Sequence, residues 1–450
     1  MPGKKWTEMT PKEKREQRLK GWLNNWGNKF TNADAEKAYK TRVKRLIDVY
    51  NVREPDRVPV SLPIGNLPLK MAGITAHTAM YDPEKALQVA QKFNEKYGAE
   101  FEYTAGLYYT PGHVLDLLDY KLYAWPGHGI AKDGTTWQFI EGEYMKPEEY
   151  DDLIRDPSDF WMRTYLPRVF GVLEPMRMFQ PFTNITENVH VMQTMPLAMP
   201  QVQEMLQKLL DVGKEYQKIM QLMMRGSTWM ARGWGGASTG FMGGFAKAPF
   251  DTIGDTLRGT TGIMQDMFRR PEKLLKALDV IADLTINTVL KSPNINRLTT
   301  VTYPLHKGAD GWMSQKQFDT FYWPSLKKVM DAFINEGLIQ SLFAEGSFNT
   351  RLEYIDQFPK GMVTWYFDRT DMSRAKQILG KKCCLQGNVP SSMIVTGSPE
   401  EVKEYCRKLI ETVGKGGGFI LSAGSVADNP KLENLQAMMA AVREYGVYRK

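Results

Sequence analysis

Three consecutive glycines, Gly416 to Gly418, run directly into a short apolar stretch, Phe419-Ile420-Leu421, which turns small and polar at Ser422-Ala423-Gly424-Ser425. After a turn at Asn429-Pro430, a helical pattern runs from Leu432 to Tyr445. A short apolar run bounded by glycine reads as a buried strand, and the periodic stretch after it as an amphipathic helix returning over the sheet. That strand–loop–helix unit is the building block of parallel α/β proteins. If such units close into a barrel, the loop from Ser422 to Asp428 faces the active site.

The rest of the chain repeats the unit. Strand candidates lie near residues 58, 101, 228, 299, 340, 362, 382 and 418, separated by helical patterns. Asp82-Pro83-Glu84 and Ser398-Pro399-Glu400-Glu401 are helix starts, with proline in the first turn and acidic residues at the positive end of the dipole. Eight parallel strands alternating with helices predict an α/β fold, a distorted (β/α)8 TIM barrel. Three pieces fall outside the repeat. Residues 1–50 read as an N-terminal helical extension preceding a barrel over 51–450. An antiparallel β-hairpin is expected over about 120–146, with its Asp133-Gly134 turn. A Met-rich helical insertion over about 147–225 carries Met176, Met178, Met192, Met195, Met199 and Met205, a pattern expected of adaptable core or interface. Gly233 to Gly244 is dense in glycine and reads as a mobile active-site loop or a plain connector.

Charge and cysteine content narrow the setting. The formal net charge is +7, and much of the excess sits in the N-terminal segment among interleaved glutamates. A solvated helical extension is the expectation, not a nucleic-acid surface. No apolar run approaches the roughly 20 residues that span a bilayer, and the first residues lack the apolar core of a secretory signal. Cys383, Cys384 and Cys406 make a poor disulfide framework, so a reducing, cytoplasmic setting is expected.

A family resemblance rests on particular residues. Phe250-Asp251-Thr252-Ile253-Gly254-Asp255 with Leu257-Arg258-Gly259, then Arg270-Pro271-Glu272-Lys273, resemble the uroporphyrinogen decarboxylase superfamily. So do Gly387-Asn388-Val389-Pro390, the Gly397 to Val402 helix start and the Gly418 to Gly446 terminus. The resemblance implies a distorted TIM barrel. It also implies one of two chemistries, porphyrin decarboxylation or methyl transfer between cobalt and a small acceptor or donor. The decarboxylases carry arginines after the first strand, where this chain has Ser61 to Pro68 without one, and a histidine where it has Ser425. The thiol methyltransferases' His-x-Cys and Cys zinc ligands correspond to Phe343, Glu345 and Ser425. Glu345-Gly346 at a strand end, with Asp310-Gly311 in the previous loop, resembles the corrinoid-dependent methyltransferase-like branch associated with O-demethylation.

The remaining polar residues at strand ends are the candidates for chemistry. Glu345 and His306 are expected as catalytic acids, or as ligands of one divalent metal such as zinc. Glu345, flanked by Phe343 and Phe348, is expected in an apolar setting that favours its protonated form. Asp310, Arg351, Asp368, Asp371, Asn388 and Ser425 are expected to bind substrate. Asp368 and Asp371 equally fit a helix cap, and Glu345 a structural ion pair with Arg351. Three functions follow. The first is a methyltransferase moving a methyl group between a small, methoxylated substrate and a corrinoid (cobalamin). No Asp-x-His-x-x-Gly pattern is found, so the corrinoid would arrive on a partner protein or free. The second is decarboxylation of a small carboxylated substrate held by Lys307, Arg351 or Arg369. The third is a non-catalytic, partner-binding barrel. A homodimer is compatible with all three.

Overall fold

The computed structural model describes residues 4–102, 109–135, 137–237 and 244–448. Among the described residues ten strands are formed: β1 (Val60–Ser61), β2 (Tyr123–Pro126), β3 (Gly129–Ile130), β4 (Gln138–Phe139), β5 (Gly244–Phe245), β6 (Thr300–Leu305), β7 (Ile339–Ala344), β8 (Val363–Phe367), β9 (Cys384–Val389) and β10 (Phe419–Ala423). Seven of them make one sheet in the order β1-β10-β9-β8-β7-β6-β5, with every pairing parallel. The first strand lies beside the last, as closure of a barrel requires. Helices such as Pro271–Leu290, Trp323–Asn335, Pro399–Leu409 and Leu432–Tyr445 connect the strands and cover the sheet. The architecture is a distorted TIM-type barrel. Each residue of β9 and β10 is buried, the signature of strands covered on both faces.

The glycine run acts as expected at the entry to β10. Gly416, Gly417 and Gly418 all have φ of 70–80°, and a Cβ at Gly417 would sit 2.3 Å from the Arg53 backbone. Only glycine fits that crossing. The predicted helix start at Ser398 is a capping box: its hydroxyl accepts the Glu401 N–H at 3.2 Å, while the Glu401 carboxylate accepts the Ser398 N–H at 2.8 Å. The hairpin exists in short form, with Tyr123 opposite Phe139 and Ala124 opposite Gln138 in antiparallel pairing.

Two predicted strands are corrected. Ser227 to Ala231 is helical: the helix Pro200–Thr228 runs on into a wider turn over Trp229–Gly233, and the strand falls instead at Gly244–Phe245. The apolar residues there continue a 3.6-residue period begun far upstream, and this outweighs their local strand-like character. The strand expected over Glu100–Tyr103 is helix as far as Phe101, and Tyr103 lies outside the described residues. The reading of Gly233 to Gly244 as an active-site loop also changes. Because it precedes a strand, its described part lies at the opposite end from the strand ends. There, Arg42 donates to the carbonyls of Trp234 (3.1 Å) and Gly235 (2.8 Å). Residues 238–243 of that stretch lie outside the described residues.

The N-terminal segment is not a solvated extension either. Its helices Pro11–Leu23 and Ala33–Tyr50 pack Leu19, Trp22, Tyr39, Val43, Leu46 and Tyr50 against Ile339, Cys384 and Ile420, which lie at the starts of three barrel strands. They close the barrel at its N-terminal face. Arg18 is buried there, donating to the carbonyls of Leu298 (2.8 Å) and Glu336 (3.2 Å) and pairing with the Glu336 carboxylate at 2.9 Å. Basic residues that read as surface charge are structural because their guanidinium groups satisfy backbone carbonyls at loop ends.

A second buried ion pair ties the hairpin region to the barrel. Arg258 donates to the fully buried Asp266 at 2.6 Å and to the Met145 carbonyl at 2.6 Å, and Tyr150 donates to Asp266 at 2.8 Å. Asp266→Ala leaves the buried Tyr150 hydroxyl without its acceptor and takes from the buried Arg258 its buried carboxylate, leaving it Glu143 and the Met145 carbonyl. The expected cost is about 3–5 kcal/mol of unfolding free energy, read as a lowered urea midpoint with unchanged slope.

Candidate functional site

Sheet register brings the site together. Leu305 pairs with Ala344, and Ala344 with Phe367. The next residues, His306, Glu345 and Asp368, therefore leave neighbouring strands at the same level, at the C-terminal face where barrel sites form. The His306 Nε2 lies 3.7 Å from a Glu345 carboxylate oxygen. Its Nδ1 is 2.6 Å from Asp255 Oδ2.

The turn after β6 is held from below by Asp251. This carboxylate is fully buried and accepts the N–H groups of His306 and Lys307, each at 2.9 Å, and the Tyr322 hydroxyl at 2.8 Å. Asp255, four residues on, also accepts Lys307 Nζ at 2.5 Å and Lys247 Nζ at 2.7 Å. Both aspartates stand in the segment that follows β5, so three consecutive strand ends supply the cluster. Sequence reading used Asp251 and Asp255 as marks of resemblance and gave them no role. The signal available was their i, i+4 spacing on one helical face directly after a strand.

The electrostatics follow from this packing. Burial favours the neutral form of Asp255, but the His306 hydrogen bond and the charges of Lys247 and Lys307 outweigh it. They hold the carboxyl well below the usual carboxylate range. Burial and then the Asp255 charge push the Asp251 carboxyl up. For His306, burial favours the neutral ring, yet the Asp255 hydrogen bond and the charges of Asp251 and Asp255 raise its pKa overall. The ring is thus a protonated group at a higher pH than a free histidine.

The other expected residues fall into separate roles. The apolar enclosure expected of Glu345 is not formed: Phe348 is buried in the core, Phe343 packs at a tilt on Tyr366 with ring centroids 4.6 Å apart, and the Glu345 side chain is 52% exposed. Asp310 braces the loop after β7, accepting the Ser347 and Thr350 hydroxyls at 2.7 Å each. Arg351 is buried, donates to the Met313 carbonyl at 2.6 Å and to Gln315, and lies 4.5 Å over the Phe318 ring. It is a packing element and not a free substrate cation, and its nearest carboxylate is Asp310 at 3.9 Å, not Glu345. Asp371 caps the helix Met372–Leu379, accepting the N–H groups of Ser373 and Arg374 at 2.8 and 3.1 Å.

Asp368, Asp371, Asn388 and Ser425 line a common cleft of about 670 Å³, together with Arg369 and Lys408. Asp368 Oδ2 accepts the Gly346 N–H at 3.1 Å, so this cleft begins one residue from Glu345. The Asn388 amide donates to the carbonyls of Asp368 (3.1 Å) and Thr370 (2.9 Å), while the Ser425 hydroxyl lies 3.1 Å from that of Ser391. A zinc ion does not fit the donor set. His306 and Glu345 offer two ligands where zinc centres take three or four protein donors. Among the described residues no group of three His, Cys, Asp or Glu surrounds one point.

A barrel with an Asp–His–Glu row at its strand ends is the class of protein defined so far. Residues 237–445 match the family model described as Uroporphyrinogen decarboxylase (URO-D), so the resemblance drawn from the motifs is shown over that part of the chain. Curated relatives include the uroporphyrinogen decarboxylases of Pseudoalteromonas translucida, 23% identical over 45% of this chain and 58% of its own, and of Trichodesmium erythraeum, 28% identical over 46% and 58%. The chain spans a little over half the length of these two relatives. Among solved structures it is similar to a methyltransferase from Methanosarcina mazei, with a TM-score of 0.54 and 15% identity over 89% of this chain and 98% of that one. At that identity the likeness is one of fold.

Replacing Asp255 by Asn tests the electrostatics. The raised His306 pKa means that its contribution to stability is fully present below the unfolded pKa and fades as pH rises through the folded one. Asp255→Asn removes the hydrogen-bonded charge, so the His306 titration followed by NMR should move to lower pH, and the stability lost over that window should shrink. An unmoved titration would show that Asp255 does not govern the ring.

Proposed function

We propose that the chain is an enzyme that transfers a methyl group between a small methylated substrate and a corrinoid carried by a partner protein. The observation that carries this reading is the placement of His306, with Nδ1 committed to Asp255 and Nε2 facing Glu345 at the barrel mouth. Transfer of an ether methyl leaves an alkoxide or phenolate, a poor leaving group that needs a proton as the bond breaks. A corrinoid bound at the mouth would supply the nucleophile that takes the methyl group. The C–O bond breaks toward oxygen, and that oxygen takes the proton from His306 Nε2. The neutral ring remains hydrogen-bonded to Asp255, and Glu345, half in solvent, returns the proton to Nε2. The raised pKa of His306 supports the acid role, because it keeps the ring charged further up the pH scale.

Decarboxylation of a carboxylated substrate has weaker support. Two of the three cations expected to hold the carboxylate are otherwise engaged: Lys307 is paired with Asp255, and Arg351 is buried in loop packing. Arg369, with its side chain 82% exposed, is the third.

Methyl transfer should appear only when reduced corrinoid or its carrier protein is supplied together with a methylated substrate. His306→Asn should lower turnover by about 10²–10⁴-fold with little change in KM, and Glu345→Gln should lower it in the same direction. The acid-dependent limb of the wild-type profile should fall as pH rises through the His306 pKa. Carbon dioxide release without corrinoid, unaffected by His306→Asn, would overturn this reading in favour of a lyase.

A further inference from the structure

Six arginines are buried among the described residues, and five of them lie within 3.9 Å of a carboxylate. Arg18 meets Glu336, Arg45 meets Asp56, Arg57 meets Glu102, Arg258 meets Asp266 and Arg351 meets Asp310. Arg15, the sixth, has no such partner among the described residues. It is 7% exposed, and it donates to Asn51 Oδ1 and to the Gly361 carbonyl at 2.9 Å each. Its Nε–H meets no acceptor among the described residues. Neutral acceptors fix the guanidinium in place but leave its charge uncompensated, and a buried charge is costly without a counter-charge. Burial pulls its pKa down to about 10; Glu16 works against this shift and Arg53 with it.

Arg15 lines an open cleft of about 730 Å³ between the helix Pro11–Leu23 and the foot of the barrel. Lys12 and Glu16 come from that helix, Arg53 from the chain just after the helix Ala33–Tyr50, and Lys360 from the connection that enters β8. The cleft therefore lies at the opposite end of the strands from His306 and Glu345. Lys12, Arg53 and Lys360 are exposed, and none of them has an acidic partner among the described residues. Four cations thus line the cleft with one acid, Glu16, beside an apolar wall from Leu19 and Ile334.

We propose that this cleft binds a small organic molecule through a phosphate group, with Arg15 as the fixed charge at its floor and Lys12, Arg53 and Lys360 around the rim. The proposal rests on no part of the methyl-transfer reading. Four cations less one carboxylate leave three positive charges. A phosphate monoester carries about −1.5 to −2 at neutral pH, so a phosphate or diphosphate matches this surplus better than a single carboxylate. A guanidinium already oriented by two acceptors is pre-organised for phosphate oxygens. The volume is that of a small-molecule pocket, about 300–1,000 Å³. A nucleic acid needs a long run of cations instead, and here the neighbouring Lys14 and Arg18 are neutralised by Glu336.

Isothermal titration calorimetry of the full chain with pyrophosphate, and separately with phenyl phosphate, tests this. One pyrophosphate should bind per chain, more tightly than citrate does, and Arg53→Glu with Lys360→Glu should weaken it at least tenfold. Both side chains are exposed, so an unchanged melt without ligand will show that the variant is folded. Lys12→Glu, on the helix side of the cleft, should act in the same direction. Because the ligand ties the helix Pro11–Leu23 to the barrel, saturating pyrophosphate should raise the thermal midpoint of the wild type and leave that of the double variant unmoved. Sodium chloride at equal ionic strength should not reproduce the rise. Binding undiminished in the double variant, tighter binding of citrate than of pyrophosphate, or no saturable binding of either phosphate probe would each overturn the proposal.

Discussion

Asp251 has no access to solvent, so its carboxylate must be satisfied from within the protein. Three donors do so, and two of them are consecutive backbone N–H groups of the turn that leaves β6. This one side chain therefore dictates the path of the chain at His306 and Lys307. Asp255 inherits its position from Asp251, one helical turn further along, and meets the side chains of the same two residues whose backbone Asp251 holds. Backbone and side chain of the turn are thus gripped by a pair of carboxylates from the neighbouring connection. The two aspartates also bear on each other's charge, and the His306 hydrogen bond, with the charges of Lys247 and Lys307, favours the ionised form of Asp255.

Much of this barrel was legible in the sequence, for identifiable reasons. The strands from β6 to β10 are short, apolar and bounded by glycine, proline or a helix cap, and both faces are covered, so period and composition agree. The first half was harder. β1 and β5 are two residues each, too short to show a period. The stretch at 227–231 has strand-like composition and yet continues the long helix begun at Pro200, its last turn packing on the helix Ala33–Tyr50. His306, Glu345, Asp368 and Asn388 could be expected at strand ends because each directly follows or closes an apolar run. Asp255 and Lys247 could not, because their meeting with His306 depends on how the segment after β5 crosses the mouth. That crossing is set by the Asp251 contacts, which no local pattern encodes.

The positive charge of the chain has a similar lesson. Arg15, Arg18 and Arg45 read as part of a basic, solvated segment, but all three are buried and bonded. Arg18 lies against Trp6, 4.7 Å from the ring, while holding loop carbonyls at the foot of the barrel. A guanidinium suits this task better than an ammonium, since its planar donors reach several acceptors at once and it is less strongly hydrated. Charge counted from the sequence is in this segment a measure of how the barrel is closed, and only secondarily of what it attracts.

The same accounting bears on chemistry. A tetrapyrrole bearing several carboxylates needs several free cations at the mouth, each desolvated on binding and each matched to a carboxylate. Here three cations near the mouth are engaged with the protein itself, and Arg369 is the exposed exception. Lys247 and Lys307 neutralise Asp255, and Arg351 holds carbonyls of the loop after β6. To release any of them for substrate would leave a buried carboxylate or carbonyl unsatisfied, which is costly in itself. The arrangement instead concentrates charge on one imidazole, raising its pKa while leaving Nε2 toward the open mouth. A site organised around one proton at one atom suits the departure of a single poor leaving group, and suits the grip of a polyanion poorly.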